Sequence, residues 1–166
     1  NFKVNGILFA GDQKLAFMTV GAKIMLDKNS PYLNSAIINK GSNSKIKIGM
    51  PVLSKGHLIG RIVEVNYMSS RILLLSDLNS KIPVVISPSG DQAILSGHGN
   101  DPLSLDYLPK DQKIQDGNAV YTSGKEGLFS PGIPIGNVLK KSNQFYVSLF
   151  SDLNQVLFVN VNIGEE

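Results

Sequence analysis

Apolar and polar positions along this chain alternate in short bursts, and no window sustains the spacing of an amphipathic helix over three turns. Segments rich in Val, Ile, Leu, Tyr and Phe are punctuated by Gly, Asn, Ser and Pro at intervals of roughly ten residues, the pattern of an all-β barrel or sandwich. The first half predicts strands near 16–26, 34–39, 51–54, 57–66, 71–76 and 82–86. The second half predicts them near 91–98, 103–107, 119–123, 133–140, 145–150 and 156–162. The run RILLLS (71–76) is apolar almost throughout, as a strand covered on both sides should be. The last strand sets Val159, Val161 and Ile163 against Asn160 and Asn162, which predicts one wet face.

The two halves match. IKIGMPVLSKG (46–56) lies over IQDGNAVYTSG (114–124), with Ile46/Ile114, Gly49/Gly117, Val52/Val120 and Gly56/Gly124 at a constant offset of 68. Gly60 then matches Gly136, and Ser76-Asp77-Leu78-Asn79 recurs as Ser151-Asp152-Leu153-Asn154. Positions 56 to 60 span four residues where 124 to 136 span twelve, so the second copy carries eight extra residues in TSGKEGLFSPGIPIG (122–136). We read this as an internal duplication that builds two small six-stranded barrels, a trypsin-like barrel pair with little helix. Three readings are open for the inserted stretch, a phosphate cradle, a nucleophile loop and a hairpin loop, and its place between two strands favours the hairpin loop.

Turn lengths constrain the connections. IPVVI and DQAILSG are joined only by Ser87-Pro88-Ser89-Gly90, short enough to force antiparallel pairing, so the strand at 82–86 belongs with the second barrel. By symmetry its duplicate at 156–162 returns to the first. The expected division is 1–80 plus 155–166 for barrel 1 and 81–154 for barrel 2, inserted in barrel 1; two consecutive barrels are the alternative. A unit of ~75 residues buries only about 60% of its unfolded surface, so the two should pack together.

Composition narrows the function classes. With 42% hydrophobic and 17% charged residues the chain is an ordinary globular one. It contains no apolar run near the ~18 residues a spanning helix needs, and NFKVNG offers no signal-peptide core, which reads as a piece of a longer protein. The absence of cysteine removes disulfides, thiol nucleophiles and zinc-thiolate sites. Residues 1–80 hold ten Lys or Arg and four Asp or Glu, and residues 81–166 hold six and nine, so a basic half faces an acidic one. That asymmetry suits electrostatic steering of neighbouring copies or of a partner protein, with ordinary solvated surface as the alternative. No basic stripe interleaves with aromatic residues, so nucleic acid is not indicated.

Candidate chemistry is sparse. A His, Asp, Ser order occurs as His57, Asp77 and Ser123, which raises a chymotrypsin-like serine protease, active or degenerate, as the alternative function. Ser123 nevertheless lacks the glycine-framed turn that forms an oxyanion hole. His98 and Asp101 are a weak metal pair without ligand spacing. Gly124-Lys125-Glu126-Gly127 lacks the P-loop pattern and does not open a helix. Asp77 and Asp152 could pair as two catalytic carboxylates, but an Asp after a strand more commonly accepts a bond from its own backbone two residues on. No catalytic, cofactor or metal site is expected, and no cofactor. The features left are those of a binding module.

Ile38-Asn39-Lys40-Gly41, GMPVLSKGHLIGRIVEV, SSRILLLSD, LDYLPKD and IQDGNAVYTSGKEGLFSPGIPIGNV together resemble the periplasmic region of the rod shape-determining MreC family, over 17–162. The most specific part is the order DG-xx-V-x-TSG, Phe129, Pro131-Gly132, Pro134-x-Gly136; Ser130 separates Phe129 from Pro131 where the family run resembles F-P-x-G. The resemblance implies a bitopic protein of the bacterial inner membrane, facing the periplasm, whose transmembrane helix and coiled coil lie upstream of Asn1. It implies a non-enzymatic scaffold of the elongasome that maintains rod shape. Such a scaffold associates with itself as a dimer or filament, binds and activates the class B penicillin-binding transpeptidase, and works with other rod-complex membrane proteins. The loop residues Tyr107, Leu108, Phe129 and Ile133 are the expected apolar anchors for protein binding.

Overall fold

The structure, a computed structural model, describes residues 2–8, 14–25, 34–127 and 129–165; Leu26, the last residue of the first predicted strand, lies outside them. The strands are β1 (Phe2–Leu8), β2 (Lys14–Met25), β3 (Ser35–Ile38), β4 (Pro51–Ser54), β5 (His57–Val65), β6 (Ser70–Leu74) and β7 (Lys81–Ser87). They continue with β8 (Gln92–His98), β9 (Asp101–Asp106), β10 (Ala119–Thr122), β11 (Pro134–Lys141), β12 (Gln144–Leu149) and β13 (Phe158–Glu165). Helix among the described residues is confined to two single 3₁₀ turns, at Ser42–Ser44 and Lys125–Gly127. The sequence reading missed β1, which pairs antiparallel with residues 14–20 of β2.

Two closed antiparallel six-stranded barrels result. Barrel 1 runs β2-β13-β4-β5-β6-β3 and closes by β2 pairing with β3, with β1 added outside on β2. Barrel 2 runs β8-β7-β10-β11-β12-β9 and closes between β8 and β9. Thus β13 sits between β2 and β4 where β7 sits between β8 and β10.

Each core follows the alternation of its strands. Val20, Ile38, Ile46, Val52, Ile59, Ile62, Ile72, Val159 and Val161 fill barrel 1. Ile82, Val84, Ile86, Leu95, Val120, Ile135, Val138 and Val147 fill barrel 2. Asn160 and Asn162 stay half-buried on the other face of β13, and a register shift between Asn162 and Gly164 ends the alternation.

The junction between the barrels comes from residues that point away from the first core. Leu58 and Leu75, each 1% exposed, pack into the cluster of barrel 2, with Leu53 and Leu153 against them. Leu58 thus uses the back of β5 while its neighbour Ile59 uses the front. Gly97 of β8 lies so close to the 75–77 turn that a Cβ would overlap the carbonyl oxygen of Asp77. Its N–H donates to Ser80 (3.1 Å), and Gly99 donates to Ser76 (2.7 Å). Truncating Leu58 to Ala at this seam costs about 2–5 kcal/mol, enough to uncouple domains of ordinary stability.

Candidate functional site

The two matched hairpins fold alike at their bases. Val52 pairs with Gly60 and Val120 with Gly136, and in both the register shifts at the next residue. Gly49 donates to Ile62 and Gly117 to Val138, both at 2.8 Å. At Gly60 and Gly136 the neighbouring strand is so near that a Cβ would overlap the carbonyl oxygen of Leu73 or Ser148. Only glycine fits either place.

They differ at their tips. The β4–β5 turn is Lys55-Gly56, both with positive φ (52° and 83°), the two-residue turn whose twist matches the strands it joins. The β10–β11 connection is long and folds back. The Thr122 hydroxyl donates to Ser130 O (2.8 Å) and accepts from Ile133 N–H (2.9 Å), while the Thr122 and Ile133 main chains also bond (3.0 Å). Phe129 and Ile133 are thereby 7% and 8% exposed, within the barrel 2 core. Expected as anchors for protein binding, they are core residues: their side chains pack into the barrel 2 cluster, where burying a phenyl ring outweighs leaving it wet. The hairpin-loop reading of 122–136 stands, with Phe129 and Ile133 turned inward.

Tyr107 and Leu108 contrast with them. Tyr107 is 85% exposed at the end of β9 and carries φ of 59°, an uncommon conformation for an aromatic residue, while Leu108 packs partly against the barrel 2 core. Leu108 ties down the loop from which the Tyr107 ring projects.

Beside the tight β4–β5 turn lies a groove of about 950 Å³, walled by the 150–158 connection and by β2. Its apolar floor holds Phe150, Leu157 and Phe158, 47%, 65% and 68% exposed. The Phe150 ring packs on the His57 imidazole, centroids 4.6 Å apart. Lys23, Lys40 and Lys55 line the groove, and none of the three forms an ion pair among the described residues. Asp152 is its one acidic residue among the described residues, and one carboxylate oxygen accepts Asn154 N–H (2.9 Å). The groove was not foreseen, because it joins residues far apart in the sequence; the exposed pair Leu157-Phe158 was its available signal.

The candidate catalytic sets do not assemble. His57 stacks on Phe150, Asp77 is buried and accepts N–H bonds from Asn34 (3.3 Å) and Asn79 (2.8 Å), and Ser123 Oγ accepts from Lys125 N–H (3.2 Å). Among the described residues no hydrogen bond joins any two of the three. Asp77 and Asp152 each accept a bond from the backbone two residues on, as turn-forming aspartates do. His98 faces Asp101 across the β8–β9 hairpin, but its Nε2 contacts Ser104 Oγ (2.8 Å). Ser104 and the buried Ser96 both donate to Asp106 (2.9 and 2.6 Å), and Lys81 donates to Ser96 (3.4 Å). This polar ladder on the outside of barrel 2 uses side chains that alternate along β8 and β9. No cluster of three metal-ligating side chains occurs among the described residues. Lys125–Gly127 is one 3₁₀ turn, which offers no helix N-terminus to phosphate.

Strands β3 to β12, the Gly60 and Gly136 contacts and the TSG-to-Pro-x-Gly loop all fall within residues 24–163, which match the model of the family "Rod shape-determining protein MreC, barrel core". The chain belongs to the MreC family. It is 37% identical over 141 residues to the cell shape-determining protein MreC of Caulobacter vibrioides, covering 84% of this chain and 41% of that protein's length. It therefore spans less than half of that MreC. The crystal structure of MreC from Pseudomonas aeruginosa superposes with a TM-score of 0.75 at 29% identity, covering 86% of this chain and 97% of that one. MreC from Helicobacter pylori, solved in complex with Penicillin-Binding Protein (PBP2), shares the fold with a TM-score of 0.67 at 16% identity, covering 88% and 98% of the two chains.

Proposed function

We propose that this chain is the barrel pair of a non-enzymatic scaffold at the periplasmic face of the bacterial inner membrane. The full protein would be held there by an upstream transmembrane helix. Its role is to maintain rod shape within the elongasome, by associating with itself and by binding and activating the class B penicillin-binding transpeptidase of peptidoglycan synthesis, alongside other rod-complex membrane proteins. The observation that carries this reading is the family match across 24–163. The complex of PBP2 with the Helicobacter pylori relative supports the transpeptidase as partner. The exposed groove and the Tyr107 loop supply the surfaces a scaffold needs, and the dispersed His57, Asp77 and Ser123 give a protease reading no support.

The same proposal takes the chain as two units, 1–80 with 155–166 and 81–154, the second inserted in the first. They would descend from one duplicated trypsin-like barrel whose last strands exchanged places. The pairing of β13 with β2 and β4, and of β7 with β8 and β10, favours this division. Of the four expected anchors, Tyr107 and Leu108 are retained as binding residues. Phe129 and Ile133 would serve binding only by holding their loop.

The test is direct. Immobilised protein should bind the periplasmic region of the transpeptidase from the same bacterium saturably, and should raise its crosslinking activity in a reconstituted assay. Absence of both binding and activation would overturn the transpeptidase role, whereas unchanged binding by Ser123→Ala is expected.

A further inference from the structure

Barrel 2 closes the end beside its long hairpin with a loop of its own, while barrel 1, with a two-residue turn at the matched place, leaves a groove there. The lining of that groove combines exposed aromatic and aliphatic surface (Phe150, Leu157, Phe158) with three lysines that form no ion pair among the described residues and outnumber the carboxylate of Asp152. A fitting occupant carries a projecting apolar ring with negative charge beside it.

The chain itself carries such a segment. Residues 101–111, DPLSLDYLPKD, hold three aspartates and one lysine. Within them Tyr107 stands out to solvent on a left-handed backbone, with Asp106 before it and the exposed Asp111 after it. Asp106 is held in place by the hydroxyls of Ser96 and Ser104. The surroundings of Tyr107 and the groove have no lining residue in common, so one molecule can offer both at once.

We propose that the Tyr107 loop of a second copy docks into the Lys23/Lys40/Lys55 groove, its ring against Phe150 and Phe158 and its aspartates toward the lysines. This rests on the self-association reading above and names the surfaces that perform it. Because donor loop and acceptor groove are different patches, the contact is heterologous and propagates from copy to copy, giving open rows unless the rotation closes a ring. The basic half of one copy meets the acidic half of the next, which fixes polarity and orients the encounter. A single loop in a groove makes a small interface, so each contact is weak and accumulates along the row.

Analytical ultracentrifugation of the protein over a concentration series tests this. The wild type should associate with rising concentration, and association should weaken as salt is raised, since the charges are on the rim. Tyr107→Ala, and Lys23→Glu combined with Lys55→Glu, should each weaken association by about tenfold or more. All three positions are exposed, and circular dichroism and melting should stay as in wild type. Mixing Tyr107→Ala with the lysine double variant should restore only capped pairs, because one intact loop and one intact groove remain in the mixture. Wild-type association that neither variant weakens would overturn the proposed surfaces and leave self-association standing. A wild type that stays monomeric throughout the series would overturn self-association itself, and the surfaces with it.

Discussion

The hairpins 51–61 and 119–137 share their base and part company at their tip. At the base a hydrophobic valine, a strand-crossing glycine, a register shift and a 2.8 Å bond from the preceding glycine recur in both barrels. These features are fixed by close backbone approach, which tolerates no extra atom. At the tip one hairpin turns in two residues and the other sends Phe129 back into its barrel. The difference teaches that the longer tip turns Phe129 and Ile133 into the core of barrel 2 while Lys125, Pro131 and Gly132 stay at the surface. The shorter tip leaves its barrel with an exposed groove.

Breaking the tip of the second hairpin should have the largest effect. Phe129→Ala removes a buried phenyl group that has no counterpart in the first hairpin, and should cost about 3–5 kcal/mol in urea unfolding. A loss below about 1 kcal/mol would mean that the loop covers the barrel without supporting it.

Breaking the bases should cost less, and equally. Gly60→Ala and Gly136→Ala each force a Cβ against a neighbouring carbonyl, and each should lose roughly 1–3 kcal/mol. A marked inequality between the two melting temperatures would separate bases that look alike.

The repeated Ser-Asp-Leu-Asn turns sharpen the comparison further. The carboxylate of Asp77, 3% exposed, accepts from both Asn34 and Asn79 N–H at the seam between the barrels, whereas that of Asp152 lies exposed and, among the described residues, accepts from Asn154 alone. Asp77→Ala leaves two donors without their carboxylate and should cost about 1–3 kcal/mol. Asp152→Ala stays within about 0.5 kcal/mol, as exposed substitutions do.

The sequence made the strands and the matched bases readable because both are written in short-range terms. Alternation sets which face of β13 is buried, and glycines mark where backbones cross. What it left hidden depends on the third dimension. The loop at 122–136 carries Gly, Pro and Phe, which suit an exposed loop and an inward-folded one equally; only the Thr122 bonds to Ser130 and Ile133 decide between them. The groove likewise joins Lys23, Lys40, Lys55 and Phe158 from four distant stretches, with no common spacing. Tyr107 was readable as a surface residue because an aromatic residue in LDYLPKD has little core within reach, and the structure leaves it 85% exposed. β1 was missed although Phe2 and Val4 alternate with Lys3 and Asn5.

The central claim is that barrel 2 closes its own end while barrel 1 leaves its matched end for a partner. Amide hydrogen exchange compared between dilute and concentrated protein tests it most directly. Protection should rise with concentration at 54–57, 150–158 and 105–110 and stay constant at 122–133. Concentration-dependent protection confined to 122–133, with none at the groove, would contradict it.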